Sequence, residues 1–193
     1  MHNRSAVLIV RLAAGIALAL PLSCALAASS VPSSEPTSEY NQGVDAYGAK
    51  DYAAARLHWK LATHAPDAPP EAYDNLGYLL HQGLGGDADL AGGVVLWRTA
   101  AERAVSESQL HLADAYEDGR GVDADAVQSF GWAMCALATS LVATEQDDGE
   151  IEIRQRIYRL LDELAVKLSP EQRAARSRLG EGYIARYSRW QVE

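Results

Sequence analysis

The sequence predicts an all-α, right-handed solenoid of antiparallel helix pairs with a C-terminal capping helix pair. Three observations carry that expectation: a segment that recurs at an offset of 36 residues, apolar side chains four apart within each copy, and paired glycines where the copies turn. Laying residues 71–96 on 107–132 aligns Leu76 with Leu112 and Gly77 with Ala113. It also aligns Gly83 and Gly85 with Gly119 and Gly121, and Asp87 and Asp89 with Asp123 and Asp125. A period of this length marks stacked units that bury their faces only against their neighbours.

A shorter first copy precedes these two. Gly43-Val44-Asp45-Ala46-Tyr47 ends one helix, and Asp51-Tyr52-Ala53-Ala54-Ala55 followed by Trp59 foreshadows Asp89-Leu90-Ala91 followed by Trp97. In the next copy Ala72, Leu76 and Leu80 form one helical face, and Ser108, Leu112 and Tyr116 repeat it. Gly77 and Ala113 stand where paired helices cross, so a small side chain there lets the backbones approach. The glycines at 83, 85, 119 and 121 suit the positive φ that ends one helix and turns into the next. Second helices are expected over about 87–104 and 123–144, and Ser106-x-x-Gln109 reads as a capping box.

The tail continues as helix without the repeat signature. Ile151, Ile153, Ile157, Leu160, Leu161, Leu164 and Leu168 mark an amphipathic helix. Ser169-Pro170-Glu171-Gln172 then provides an N-cap, a proline at the first helical position and a glutamine three after the cap, opening a helix that runs to about Trp190. The expected units are repeats at about 38–66, 70–105 and 106–144, with capping helices over 147–190.

The L-G-x-x-Y-x-x-G-x-G-V pattern, the aspartate after it, and Trp97-x-x-x-Ala101 together resemble Sel-one-like repeats, which are relatives of the tetratricopeptide repeat. The resemblance is strongest over 70–137, weaker over 39–65 and faint beyond 144. The first full copy departs from the pattern at Leu80 and Gly86. The resemblance implies a protein-binding scaffold or adaptor, or an immunity protein or inhibitor of a secreted effector. Cysteine-rich relatives linked to peptidoglycan-precursor binding carry a disulfide in each repeat, and those cysteines are missing here, so that activity is not carried over.

The first 27 residues read as a secretory signal peptide. Arg4 and Arg11 precede or interrupt an apolar stretch from Val7 to Leu22, and Ala25-Leu26-Ala27 is a small-x-small cleavage site. Leu22-Ser23-Cys24 also allows a lipoprotein reading, though Pro21 sits where an aliphatic residue is wanted. Residues 28–37 read as a disordered, proline-broken linker. Cleavage predicts a periplasmic protein with no membrane insertion of the mature chain. Removing Arg4 and Arg11 from 17 basic residues leaves 15 against 26 acidic ones, a net charge of −11. That balance argues against a nucleic-acid partner. Cys135 would remain alone in an apolar helical run, which speaks for a buried thiol and no intrachain disulfide.

Nothing in the chain reads as catalytic, cofactor-binding or metal-binding machinery. His58, His64, His81 and His111 include no two at i, i+4, and no cysteine clusters with them. Adjacent acidic pairs such as Glu117-Asp118 and Asp162-Glu163 point about 100° apart on a helix and read as solvated surface. The functional expectation is therefore a non-enzymatic module that binds a protein or peptide through a concave groove, with a cell-wall-associated enzyme as the reading from another class. The groove positions are Val44 and Tyr47 from the first copy, Asp74, Tyr78 and His81 from the second, and Leu110, Asp114 and Glu117 from the third. This acidic and aromatic strip fits a segment with basic residues. The export expectation is checked by mass spectrometry of the secreted chain. Its N-terminus should be Ala28, and an acyl chain on Cys24 would replace this reading with a lipoprotein.

Overall fold

A computed structural model describes residues 36–142 and 148–187. These form α1 (Pro36–Gly48), α2 (Tyr52–Thr63), α3 (Pro70–Gln82), α4 (Leu90–Ala101), α5 (Ser106–Asp118), α6 (Ala126–Val142), α7 (Asp148–Lys167) and α8 (Pro170–Tyr187), with no strand among the described residues. The expected signal peptide, the expected linker up to residue 35, and Trp190 lie outside them. Pro36 and Thr37, expected as linker, instead open α1; proline's fixed φ suits a first helical turn.

Helices pair as α1 with α2, α3 with α4 and α5 with α6, and α2 and α4 join each pair to the next. What fixes the crossing is an indole laid on a glycine. A Cβ at residue 77 would come within 2.9 Å of Trp97 Cδ1 and 3.0 Å of the Gly93 carbonyl oxygen. Trp59 lies on Gly43 in the same way, and its Nε1 donates to the Tyr40 carbonyl at 3.2 Å. In the third pair the corresponding positions are Ala113 and Ala133, both fully buried. A glycine with a tryptophan has become an alanine with an alanine.

The recurring aspartate has a clear local role. Asp51, Asp89 and Asp125 each stand just before a second helix and accept its free N–H groups: from Ala54 at 3.0 Å, from Gly92 at 2.8 Å, and from Val127 and Gln128 at 2.9 and 3.1 Å. These caps place the starts of α4 and α6 three residues later than expected from the sequence. The turns before them use left-handed glycines. Gly83 (φ 69°) and Gly119 (φ 68°) end α3 and α5, whereas Gly85 and Gly121 press onto the first residues of α2 and α4, where a Cβ would strike backbone.

The expected capping box at Ser106 does not form. Val105 is the N-cap of α5 and makes no side-chain cap bond. Gln109 is fully buried, and its amide donates instead to the carbonyls of Ala101 at 3.0 Å and Tyr187 at 3.1 Å, tying α5 to the ends of α4 and α8. The box at Ser169 does form: the Gln172 N–H donates to Ser169 Oγ at 3.2 Å and the Ser169 N–H to Gln172 Oε1 at 2.9 Å.

The capping pair closes the array through α6. Tyr183 and Tyr187 of α8 stack on Trp132, with centroids 4.4 and 5.5 Å away, and Ile157, Leu160 and Leu164 of α7 join the same core. Leu112 is fully buried in that core, so Leu112→Ala should cost about 2–5 kcal/mol in urea unfolding. Asp89→Ala, which removes only a cap, should cost about 1 kcal/mol. A loss below about 0.5 kcal/mol at Leu112 would contradict the repeat register.

Candidate functional site

The first helices α1, α3 and α5 line up along one side and form a groove of three adjoining cavities. The first, about 450 Å³, is bounded by Val44, Tyr47, Trp59, Asp74, Asn75, Tyr78, Glu107, His111 and Arg156. The second, about 320 Å³, shares Tyr78, His111 and Arg156 with it and adds His81, Asp114 and Arg120, among others. The third, about 240 Å³, runs from Asp114 and Glu117 to Arg159 and Glu163, again beside Arg156.

Seven of the eight expected groove residues therefore come together. Val44 and Tyr47 are exposed, Tyr78 is half-buried, and Asp74 and His81 form the buried floor. Leu110 is the correction. It is 1% exposed and belongs to the core, because the face of α5 that meets the groove is the stripe Glu107, His111, Asp114 and Asp118. The signal for Glu107 and His111 in the sequence is their i, i+4 spacing, a mixed acid and imidazole version of a histidine pair.

A second correction concerns charge. The sequence left Asp114 and Glu117 open to a partner, but α7 reaches across to them. Arg156 donates to Asp114 at 2.9 Å, and Lys167 pairs with Glu117 at 2.5 Å. Two of the three acidic groove positions are thus paired within the chain.

The remaining acidic end is unusual for its burial. Position 74 corresponds to Leu110 one repeat later, so a carboxylate stands where the array otherwise packs a leucine; it is 5% exposed. Ser108, at the position of Ala72, donates its hydroxyl to Asp74. Burial pushes the Asp74 carboxyl up to about 7, helped by the nearby Glu107 and Glu71 carboxylates and opposed by the Ser108 bond. Burial also drives His111 down to about 3, with Arg156 and His81 adding to the effect, so its ring is neutral at ordinary pH. Its ring stacks on Trp97 at 4.6 Å and tilts against Tyr78 at 5.9 Å. Oxygen and nitrogen ligand atoms of Asp74, Glu107 and His111 lie within 4.8 Å of one another.

Other titratable groups have structural uses. His81 stacks on Trp97 at 4.6 Å, with Nε2 at 3.3 Å from the Arg120 carbonyl, and burial lowers its pKa. His58 pairs with Glu39 at 2.9 Å. The Cys135 thiol is buried and pushed up to about 12, so it stays protonated and is no nucleophile.

A helical array of this kind is a Sel-one-like repeat (SLR) fold. The chain is similar to the crystal structure of a protective antigen present in uropathogenic Escherichia coli strains displaying an SLR fold. The identity is 24% and the TM-score 0.68, over 80% of this chain and 31% of that one. A Sel1 repeat protein from Oxalobacter formigenes is 24% identical with a TM-score of 0.46, over 63% of this chain and 54% of that one. The chain thus spans less than a third of the antigen and about half of the second protein. No protein-family model and no curated protein matches the sequence.

The raised Asp74 pKa makes a prediction with a definite sign. Between about pH 4 and pH 7 the folded chain holds a proton on Asp74 that the unfolded chain has lost, so this residue's contribution to stability falls as pH rises through that window. Asp74→Asn removes the loss while keeping an oxygen to accept from Ser108. The unfolding free energy from urea titration should shift in favour of the variant as pH rises from about 4 to about 7, by up to the order of 4 kcal/mol. A variant-to-native difference that does not change with pH would show that Asp74 is ionised throughout.

Proposed function

We propose that the chain is an exported, non-catalytic interaction module of the periplasm, a scaffold or adaptor that holds a segment of another protein in the concave groove. The observation that carries this reading is the groove itself, where Tyr47 and Tyr78 offer aromatic surface above Asp74 in the first cavity, about 450 Å³. Two-χ aromatic side chains give a large contact area at low entropic cost, and such residues dominate binding energy at interfaces. The exposed Glu107 carboxylate over the buried Asp74, beside aromatic walls, suits a segment carrying a lysine or arginine.

The pairs Arg156–Asp114 and Lys167–Glu117 direct a basic segment towards α1 and α3 and away from the α5–α7 end. Export is supported by the basic, apolar and small-residue pattern of the first 27 residues. No helix among the described residues is long and apolar enough to cross a membrane.

The test is capture of a partner from a periplasmic extract, followed by calorimetry with groove variants. Tyr47→Ala and Tyr78→Ala should each weaken binding by about tenfold or more, the loss typical of an interface anchor. Leu57→Ala should leave affinity unchanged, since Leu57 is 56% exposed on α2, outside the three cavities. Equal losses from Leu57 and the tyrosines would move the binding surface off the groove. A single partner held at nanomolar affinity would favour an inhibitor or immunity protein over a scaffold.

A further inference from the structure

We propose that Asp74, Glu107 and His111 form a site for one divalent transition-metal ion at the floor of the first cavity. This assignment goes beyond partner binding and does not depend on it.

Glu107 and His111 stand one turn apart on α5, and Asp74 meets them from α3. One ligand atom of each lies within 4.8 Å of the other two, and His111 Nε2 is 3.9 Å from Glu107 Oε1. Nitrogen and oxygen ligands bound at about 2.0–2.2 Å stand roughly 3–3.5 Å apart around an ion. Closing the set therefore needs a movement of about 1 Å, within reach of a rotamer adjustment of Glu107, whose side chain is 50% exposed.

Two further observations point to a ligand. The His111 side chain is 12% exposed, and its Nε2 faces Glu107 Oε1 at 3.9 Å, longer than a hydrogen bond but close enough for a shared ion to bridge. The imidazole thus stands between two carboxylates, those of Glu107 and Asp74. Asp74 occupies a position where the next repeat has Leu110, so packing gives no reason for a carboxylate there.

The inner ligands are also held in place by their surroundings. Ser108 donates to Asp74, and Trp97 and Tyr78 hold the His111 ring by stacking. Such outer contacts orient metal ligands and tune their affinity. One imidazole with two carboxylates suits Zn²⁺, Mn²⁺, Co²⁺ or Ni²⁺ better than the all-oxygen preference of Ca²⁺ or Mg²⁺. Arg156 lines the first cavity and opposes a cation, but Asp114 at 2.9 Å offsets its charge.

The experiment titrates purified, tag-free, chelator-stripped protein with Co²⁺, following its visible d–d bands, and with Zn²⁺ by calorimetry, no partner being present. One ion per chain should bind in the micromolar range or tighter. Glu107→Gln and His111→Ala should each weaken binding at least about tenfold, with the helical circular dichroism spectrum unchanged. His64→Ala, an exposed histidine outside the cavities, should leave binding as it is. Glu107 is half-exposed, so its variant keeps the test decisive even if His111→Ala fails to fold. Absence of saturable binding, or binding that survives Glu107→Gln or depends on His64, would overturn the assignment.

Discussion

The contact of an indole with a glycine backbone sets the geometry on which everything else in this chain depends. Trp97 on Gly77 and Trp59 on Gly43 bring α4 against α3 and α2 against α1 at a distance no larger side chain would allow. Because interiors are close-packed, a fixed crossing distance also fixes where the next pair must stack. The aspartate caps recur at all three units, and the paired glycines repeat the same turn in the second and third. With the crossings set, α1, α3 and α5 lie side by side, and the side chains they turn away from the second helices become the wall of a groove.

Within that wall the array breaks its own pattern at one place. Asp74 and Ser108 replace residues that are apolar in the neighbouring copy, Leu110 and Ala72. A buried carboxylate disfavours folding once it ionises, and a leucine at position 74 would repeat the packing seen at 110. Sites that trade stability for a polar cluster are where binding or chemistry is expected. The tyrosines, the buried acid and the stacked histidine all fall on this one stretch between α1, α3 and α5.

The C-terminal helices do more than shield the end of the array. α8 covers α6 through Tyr183 and Tyr187, and Gln109 ties α5 to the carbonyl of Tyr187. α7 lies against α6 and carries Arg156 and Lys167 across to α5. The groove is consequently asymmetric. Its α7 end is internally paired, while its α1–α3 end keeps aromatic and acidic groups facing the first cavity.

The helix pairs, the turns and the recurrence of the aspartates were legible in the sequence, because each rests on contacts within one repeat; that Asp89 and Asp125 cap the second helices, and do not lie within them, was not. Spacing along one helix determines a face, and a glycine pair determines a turn, whatever surrounds them. Seven of the eight groove positions followed from the same reasoning. What only the tertiary structure decided were the relations between distant segments. Leu110 turned inward because the core needed it, Gln109 abandoned its helix start for carbonyls of α4 and α8, and Asp114 met Arg156 across 42 residues of chain. The joining of Asp74 to Glu107 and His111 belongs to the same group. Charge pairing and burial depend on which helix lies opposite, and one-dimensional spacing carries no information about a neighbour brought in from another repeat.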